Sequence, residues 1–145
     1  MNIINEFEEY NRCGRNSLCA ILYTNTNILS VGYNNYTPHI NINGKKLQIP
    51  SVHAEICAIK QLLDSRKKNT KKRIKVDMVV MRKTFEEEFA NSKPCKHCIE
   101  LLKSEIINCF INLRNITYFE NDKFITESLK NITNSHISKG WKRCY

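Results

Sequence analysis

Two stretches of this chain open what reads as a helix on groups that are costly to bury. In "SVHAEICAIKQLL", residues 51–63, the apolar Ile56, Ile59, Leu62 and Leu63 recur at helical spacing, with Lys60, Gln61 and Asp64 falling between and after them. That helix begins on His53 and Glu55, one alanine apart. In "SKPCKHCIELL", residues 92–102, a second helix is predicted over residues 95–107, with Ile99, Leu102 and Ile106 on one face. It begins on Cys95 and Cys98. Between the two lies "IKVDMVVMRK", residues 74–83, whose continuously apolar "MVVM" reads as a central strand covered on both faces. A helix before and a helix after such a strand would both pack on its sheet. Both carry their unusual residues at the N-terminal end, which is the rim where sites form in open α/β sheets.

The remaining elements fit that frame. "LCAILYT" and "ILSVGY", residues 18–24 and 28–33, are two strands joined by the polar "NTN", an antiparallel hairpin. "NITYF", residues 115–119, is another strand, and "ENDK" offers a tight turn into "FITESL". Ile3, Phe7 and Tyr10 at i, i+4 and i+7 predict a short amphipathic helix at the start. Strand–strand–helix–strand–helix–strand is a three-layer α/β pattern. Two stretches, residues 35–50 and 84–94, read as irregular, and loops that long in a small domain are usually functional. The tail "NSHISKGWKRCY" shows no period. With 145 residues, no internal repeat and no linker, residues 1–145 are expected to form one domain.

Composition narrows the class. No apolar run approaches the roughly 18 residues of a membrane span, and the acidic first ten residues do not resemble a secretory signal. Seven cysteines without such a signal point to reduced thiols and an intracellular setting, in the cytoplasm with the nucleus left open. Any cysteine cluster then reads as metal-binding. The net charge of +9 favours an anionic partner such as a nucleotide or nucleic acid. Abundant lysine, asparagine and isoleucine together also fit an AT-rich genome, which weakens that inference.

Pro94 suits a first helical position, where its missing N–H costs nothing. Cys95 and Cys98, three apart, share a helix face, and thiols at a helix N-terminus ionise more easily. Two thiolates and an imidazole form the N/S donor set that zinc takes. With His53, Cys95 and Cys98 as ligands, one ion per chain is expected. Its charge is balanced, and the fourth tetrahedral corner is open to a water activated toward a pKa of about 7. Glu55 is near enough to move that water's proton without itself ligating, which is general acid–base chemistry.

His53-Ala54-Glu55 followed by Pro94-Cys95-Lys96-His97-Cys98 resembles the H-x-E…P-C-x-x-C zinc signature of the cytidine and deoxycytidylate deaminase superfamily, over roughly residues 15–120. The resemblance implies a cytidine-deaminase-like α/β/α fold around a central mixed sheet of about five strands. It implies a zinc-dependent hydrolase that deaminates a nucleoside or nucleotide. His53, Cys95 and Cys98 resemble the zinc ligands and Glu55 the proton shuttle. Asn34, after the second strand, resembles an asparagine that often holds a ribose hydroxyl. Ala54 resembles the residue whose backbone N–H contacts the base.

Blander readings stand beside these. Cys57, four residues from His53, could close a structural zinc site, but as a core residue of the apolar helix face it needs no ligand role. His97 points away from the cysteine face. Cys13, Cys19, Cys109 and Cys144 read as small apolar residues. Tyr33, Tyr36 and His39 are pocket walls or packing residues. The basic run at residues 66–73 is a nucleic-acid patch or a solvated loop. A non-catalytic scaffold leaves Glu55 without a role, and about forty residues between the histidine and the cysteines do not fit a compact zinc finger.

Branches of the superfamily differ in ways that this sequence mixes. The direct hairpin in "TYFENDKFITES" resembles free-nucleoside enzymes, whereas His53 resembles the nucleotide and transfer-RNA branches. The expected substrate is cytidine, deoxycytidine, CMP or dCMP, and an RNA or transfer-RNA base is the alternative. Arg15, Lys45 and Lys46 are candidates for a phosphate contact, and residues 35–50 and 84–93 for the mouth of the site. Assembly into homo-oligomers is compatible with the sequence, and no membrane partner is expected.

Overall fold

The structure, a computed structural model, describes residues 18–25, 27–34, 39–42, 44–48, 53–66, 72–84, 86 and 88–137. Its centre is a five-stranded mixed sheet in the order β2-β1-β5-β6-β7. Strands β1 (Leu18–Thr24) and β2 (Asn27–Tyr33) form the expected antiparallel hairpin, with Asn25 in the left-handed region at φ 55°. Strand β1 also pairs antiparallel with β5 (Ile74–Arg82), which runs parallel to β6 (Ile111–Glu120). The last strand, β7 (Lys123–Ser128), returns antiparallel on β6. Asn121 and Asp122 make that turn at φ 53° and 62°, the pair of left-handed residues a two-residue hairpin needs. Helix α1 (Ala54–Ser65) precedes β5, and helix α2 (Lys96–Leu102) follows it.

Alternation along the strands decides what each face covers. Ala20 and Leu22 of β1 and Val76, Met78 and Val80 of β5 join Ile59 and Leu62 of α1 and Ile99 and Leu102 of α2 in the main core. Cys19, Ile21, Val79 and Met81 point to the opposite face, against Val31, Phe89 and Phe124. Strand β5 is therefore apolar on both faces because both are buried. The expected N-terminal helix lies outside the described residues. Among the described residues no helix is long and apolar enough to cross a membrane.

Two expectations need correction. Residues 35–50 are not structureless: β3 (His39–Ile42) and β4 (Lys45–Gln48) form a separate antiparallel pair. Asn-Gly is the strongest short hairpin signal, Gly44 sits at φ 79°, and Ile42 is buried in the main core. The helix predicted over residues 95–107 breaks after Leu102 and restarts as α3 (Glu105–Asn108). Ser104 takes an extended backbone there and donates its hydroxyl to Leu101 O, while Asn108 Nδ2 satisfies the carbonyls of Leu102 and Ser104. Of the two readings of Tyr33, pocket wall or packing residue, its contacts are those of packing. It pairs with Cys19 and hydrogen-bonds that thiol, on the sheet face away from α1. Tyr36 and the His39 side chain lie outside the described residues.

Candidate metal centre

Both helices reach the same rim because β2 and β5 end there: Tyr33 pairs with Cys19 and Arg82 with Leu18, at the start of β1. Helix α1 lies unusually close on β2. A Cβ on Gly32 would stand 2.3 Å from both Ala54 O and Ala58 N, so only glycine admits the helix backbone at this distance. Two residues earlier on the same face, buried Ser30 donates its hydroxyl to Ala58 O at 2.8 Å. A glycine inside a strand was the available sequence signal for this close approach, and sequence reasoning passed over it.

The cysteine helix is set by a second device. The parallel pairing of β5 and β6 stops after Val79 and Thr117. Ser92 fills the gap beyond. Its hydroxyl donates to Val80 O at 2.7 Å and accepts from Phe119 N at 2.8 Å, and its own N–H donates to Phe119 O at 3.0 Å. Pro94 and Cys95 follow within three residues.

His53 and Cys95 occupy equivalent places: each is the N-cap of its helix, with extended backbone and no side-chain cap hydrogen bond. Their side chains face each other instead. His53 Nδ1 lies 3.2 Å from Cys98 Sγ and 3.7 Å from Cys95 Sγ. The three donor atoms are all within 4.8 Å of one another, the ligand-rich group found among the described residues. Ligands sharing a tetrahedral zinc with Zn–S of about 2.3 Å and Zn–N of about 2.0 Å stand about 3.5 Å apart, so the spacing fits the ion. Glu55 is 2% exposed, with Oε2 3.8 Å from Cys98 Sγ.

The electrostatics also fit a cation. Cys95 is lowered to about 4, first by its hydrogen bond with Cys98 and against the effect of burial. Cys98 is raised well above the ordinary thiol range, by that same hydrogen bond and then by burial. The two thiols are thus pushed apart, Cys95 toward the thiolate and Cys98 toward the thiol, and a positive ion between them would favour the second thiolate. The hydrogen bond to Cys95 raises His53. Burial raises Glu55 above the ordinary carboxyl value.

The other candidates fall elsewhere. Asn34 Oδ1 accepts the Ala54 N–H at 2.9 Å, so these two residues are partners of each other. Cys57 is half-buried beside the core, where its sulfur accepts from Gln61 Nε2, and is outside the donor group. His97 faces Glu100, 3.8 Å away. Cys19 is buried, but Cys109 is exposed rather than a packed apolar residue, and the five described cysteines are all free thiols. Cys13, Cys144 and Arg15 lie outside the described residues. Lys45 and Lys46 are exposed on β4.

Among solved structures the chain is similar to the dCMP deaminase of the cyanophage S-TIM5. The crystal structure in complex with dCMP and dUMP is 16% identical over 77% of this chain and 75% of that one, with a TM-score of 0.41. The apo form is 15% identical over 75% and 87%, with a TM-score of 0.39. No curated protein sequence matches the chain. The family model for the cytidine and deoxycytidylate deaminase zinc-binding region matches residues 2–111, a span that holds His53, Glu55, Cys95 and Cys98. That match takes in well over half of the chain, which therefore belongs to the cytidine and deoxycytidylate deaminase family.

Proposed function

We propose that this chain, acting as a single domain, is a zinc-dependent hydrolase that deaminates a cytosine-type nucleoside or nucleotide and releases ammonia. The observation that carries this reading is Glu55: a carboxyl buried beside the N/S donor group yet not one of its three donors. A purely structural zinc site has no use for it, and burying it without purpose is costly. In this reading His53 Nδ1 and the sulfurs of Cys95 and Cys98 would hold zinc. When bound, the ion supplies Lewis-acid activation of a water nucleophile. Glu55 takes a proton from the attacking water and gives it to the ring nitrogen. It then takes the proton that remains on the added oxygen and delivers it to the exocyclic amine, so that the C–N bond breaks, ammonia leaves and the ring carbon keeps the oxygen as a carbonyl. Asn34 has its Oδ1 engaged on Ala54, which leaves Nδ2 as the donor for a sugar hydroxyl. Ala54 O stays with the helix, and its N–H would reach a base only by exchanging Asn34 for it.

Ammonia release from cytidine, deoxycytidine, CMP, dCMP and single-stranded RNA, measured on zinc-loaded protein, tests the proposal. Turnover of at least one cytosine mononucleoside or mononucleotide is expected. Glu55→Gln should keep zinc and lose activity by about 10²-fold or more. A Glu55→Gln variant as active as the parent removes the assigned role, and activity confined to RNA moves the substrate to a polynucleotide.

A further inference from the structure

The chain after β7 shows no periodicity, yet residues 129–137 are well tied down. Leu129 and Ile132 are buried in the main core. Lys103 Nζ, at the C-terminal end of α2, donates to Ile132 O at 2.7 Å. Four residues on, at the other end of the same helix, His136 O accepts the N–H of Lys96 at 2.9 Å. The segment therefore runs along α2 from its end back to its start.

That last contact answers a need of the helix. The first N–H groups of a helix have no partner within it. An N-cap side chain serves the second or third of them at best, and no acidic residue stands in the first turn, so the Lys96 N–H is left to an acceptor from outside the helix. Helix α1 meets the same need differently, through Asn34 Oδ1 on Ala54 N. Asn134 is what presents the His136 carbonyl. Its Oδ1 accepts His136 N at 3.0 Å and its Nδ2 donates to Pro94 O at 3.0 Å. One side-chain amide thus fixes the residue before Cys95 and, through His136, the residue after it. The role needs a donor and an acceptor on one short side chain, which asparagine supplies and aspartate does not.

We propose that Asn134 is a positioning residue for the cysteine half of the metal centre, and that residues 129–137 act as a clamp on α2 that holds Cys95 at its distance from His53. This rests on the metal-site reading above. Partners that orient metal ligands from outside typically contribute about 10–100-fold in affinity. Zinc affinity and release rate of the full chain, measured by competition with a chromophoric chelator, provide a readout independent of turnover. Asn134→Asp should weaken zinc binding by about tenfold or more and speed its release. Ile111→Val, a core change at the far end of β6, serves as the comparison at matched loss of denaturation midpoint and should hold zinc like the parent. Should Asn134→Asp not fold, Asn134→Ala, which removes both side-chain bonds without adding a charge, should speed zinc release in the same direction. Parental zinc binding in the folded Asn134 variant, or equal weakening in Ile111→Val, overturns the clamp while leaving the metal site standing. A parent chain that binds no zinc overturns both.

Discussion

At the scale of single residues, the donor atoms of His53, Cys95 and Cys98 all lie within 4.8 Å of one another. Histidine, two cysteines three apart and a glutamate are chemically distinctive, and their positions opening two helices define the cluster. Ser92 and Asn134 carry no such mark, and the family resemblance marks Asn34 for a sugar hydroxyl rather than for its bond to Ala54. Their hydrogen bonds join residues 20, 27 and 40 positions apart, and nothing local distinguishes an asparagine that caps a remote helix from one that forms a turn. The opposite shifts of Cys95 and Cys98 make a prediction at this scale. Zinc must displace the proton held by Cys98, and also that of His53 wherever the imidazole is still protonated, because the ion binds thiolates and neutral imidazole. Both displacements are easier at higher pH. Zinc affinity should therefore rise with pH and fall on acidification, by about tenfold per pH unit for each proton displaced. Chelator competition across the neutral range, with proton release followed in weak buffer, measures this. An affinity independent of pH would mean that both thiols are already ionised without metal.

At the scale of elements, the strands were legible because their apolar runs and turn residues agree. "ENDK" predicted a tight turn, and the φ values of Asn121 and Asp122 are those such a turn requires. The β3–β4 pair was missed although Asn43-Gly44 announces it, because an irregular reading of residues 35–50 was preferred over a local signal. The break in the second helix was missed because Ile106 continues the apolar spacing past Ser104, where the backbone turns extended. The joint between β2 and α1 is the element contact that matters most for the site, since it sets where His53 and Glu55 stand. Gly32→Ala forces a methyl into the backbone of Ala54 and Ala58, neither of which is a flexible side-chain end that can move aside. The helix must lift, at a cost of about 1–3 kcal/mol or more. The urea midpoint of the variant should drop accordingly, and it should retain less zinc than the parent. A Gly32→Ala chain with parental midpoint and zinc content would show that α1 does not rest on β2 as described.

At the scale of the whole molecule, the question is whether the net charge of +9 serves the site. The described ends of the basic run at residues 66–73 lie at the opposite rim. Arg66 donates to Phe110 O and Lys72 O, and Arg73 to Ile111 O, beside the first residues of β5 and β6. The six residue steps from Ile74 to Val80, whose carbonyl Ser92 caps, separate that rim from the approach to the cysteine helix, about 20 Å at the rise of an extended strand. Charges so far apart are screened at physiological salt, where the Debye length is about 8 Å. Three lysines nearer the site are engaged within the fold: Lys93 lies over the Tyr118 ring, Lys83 over the Phe89 ring, and Lys96 reaches toward Glu100. A polynucleotide enzyme would draw its affinity from many phosphate contacts and lose about 10³–10⁵ of it between 50 and 200 mM salt. A pocket for one nucleoside or mononucleotide displaces few counterions. With dCMP or deoxycytidine as substrate, kcat/KM should therefore change by less than about tenfold over the same salt range. A steep fall with salt, on these or on single-stranded substrates, would place a tracked phosphate backbone along this rim and move the substrate assignment to RNA or single-stranded DNA.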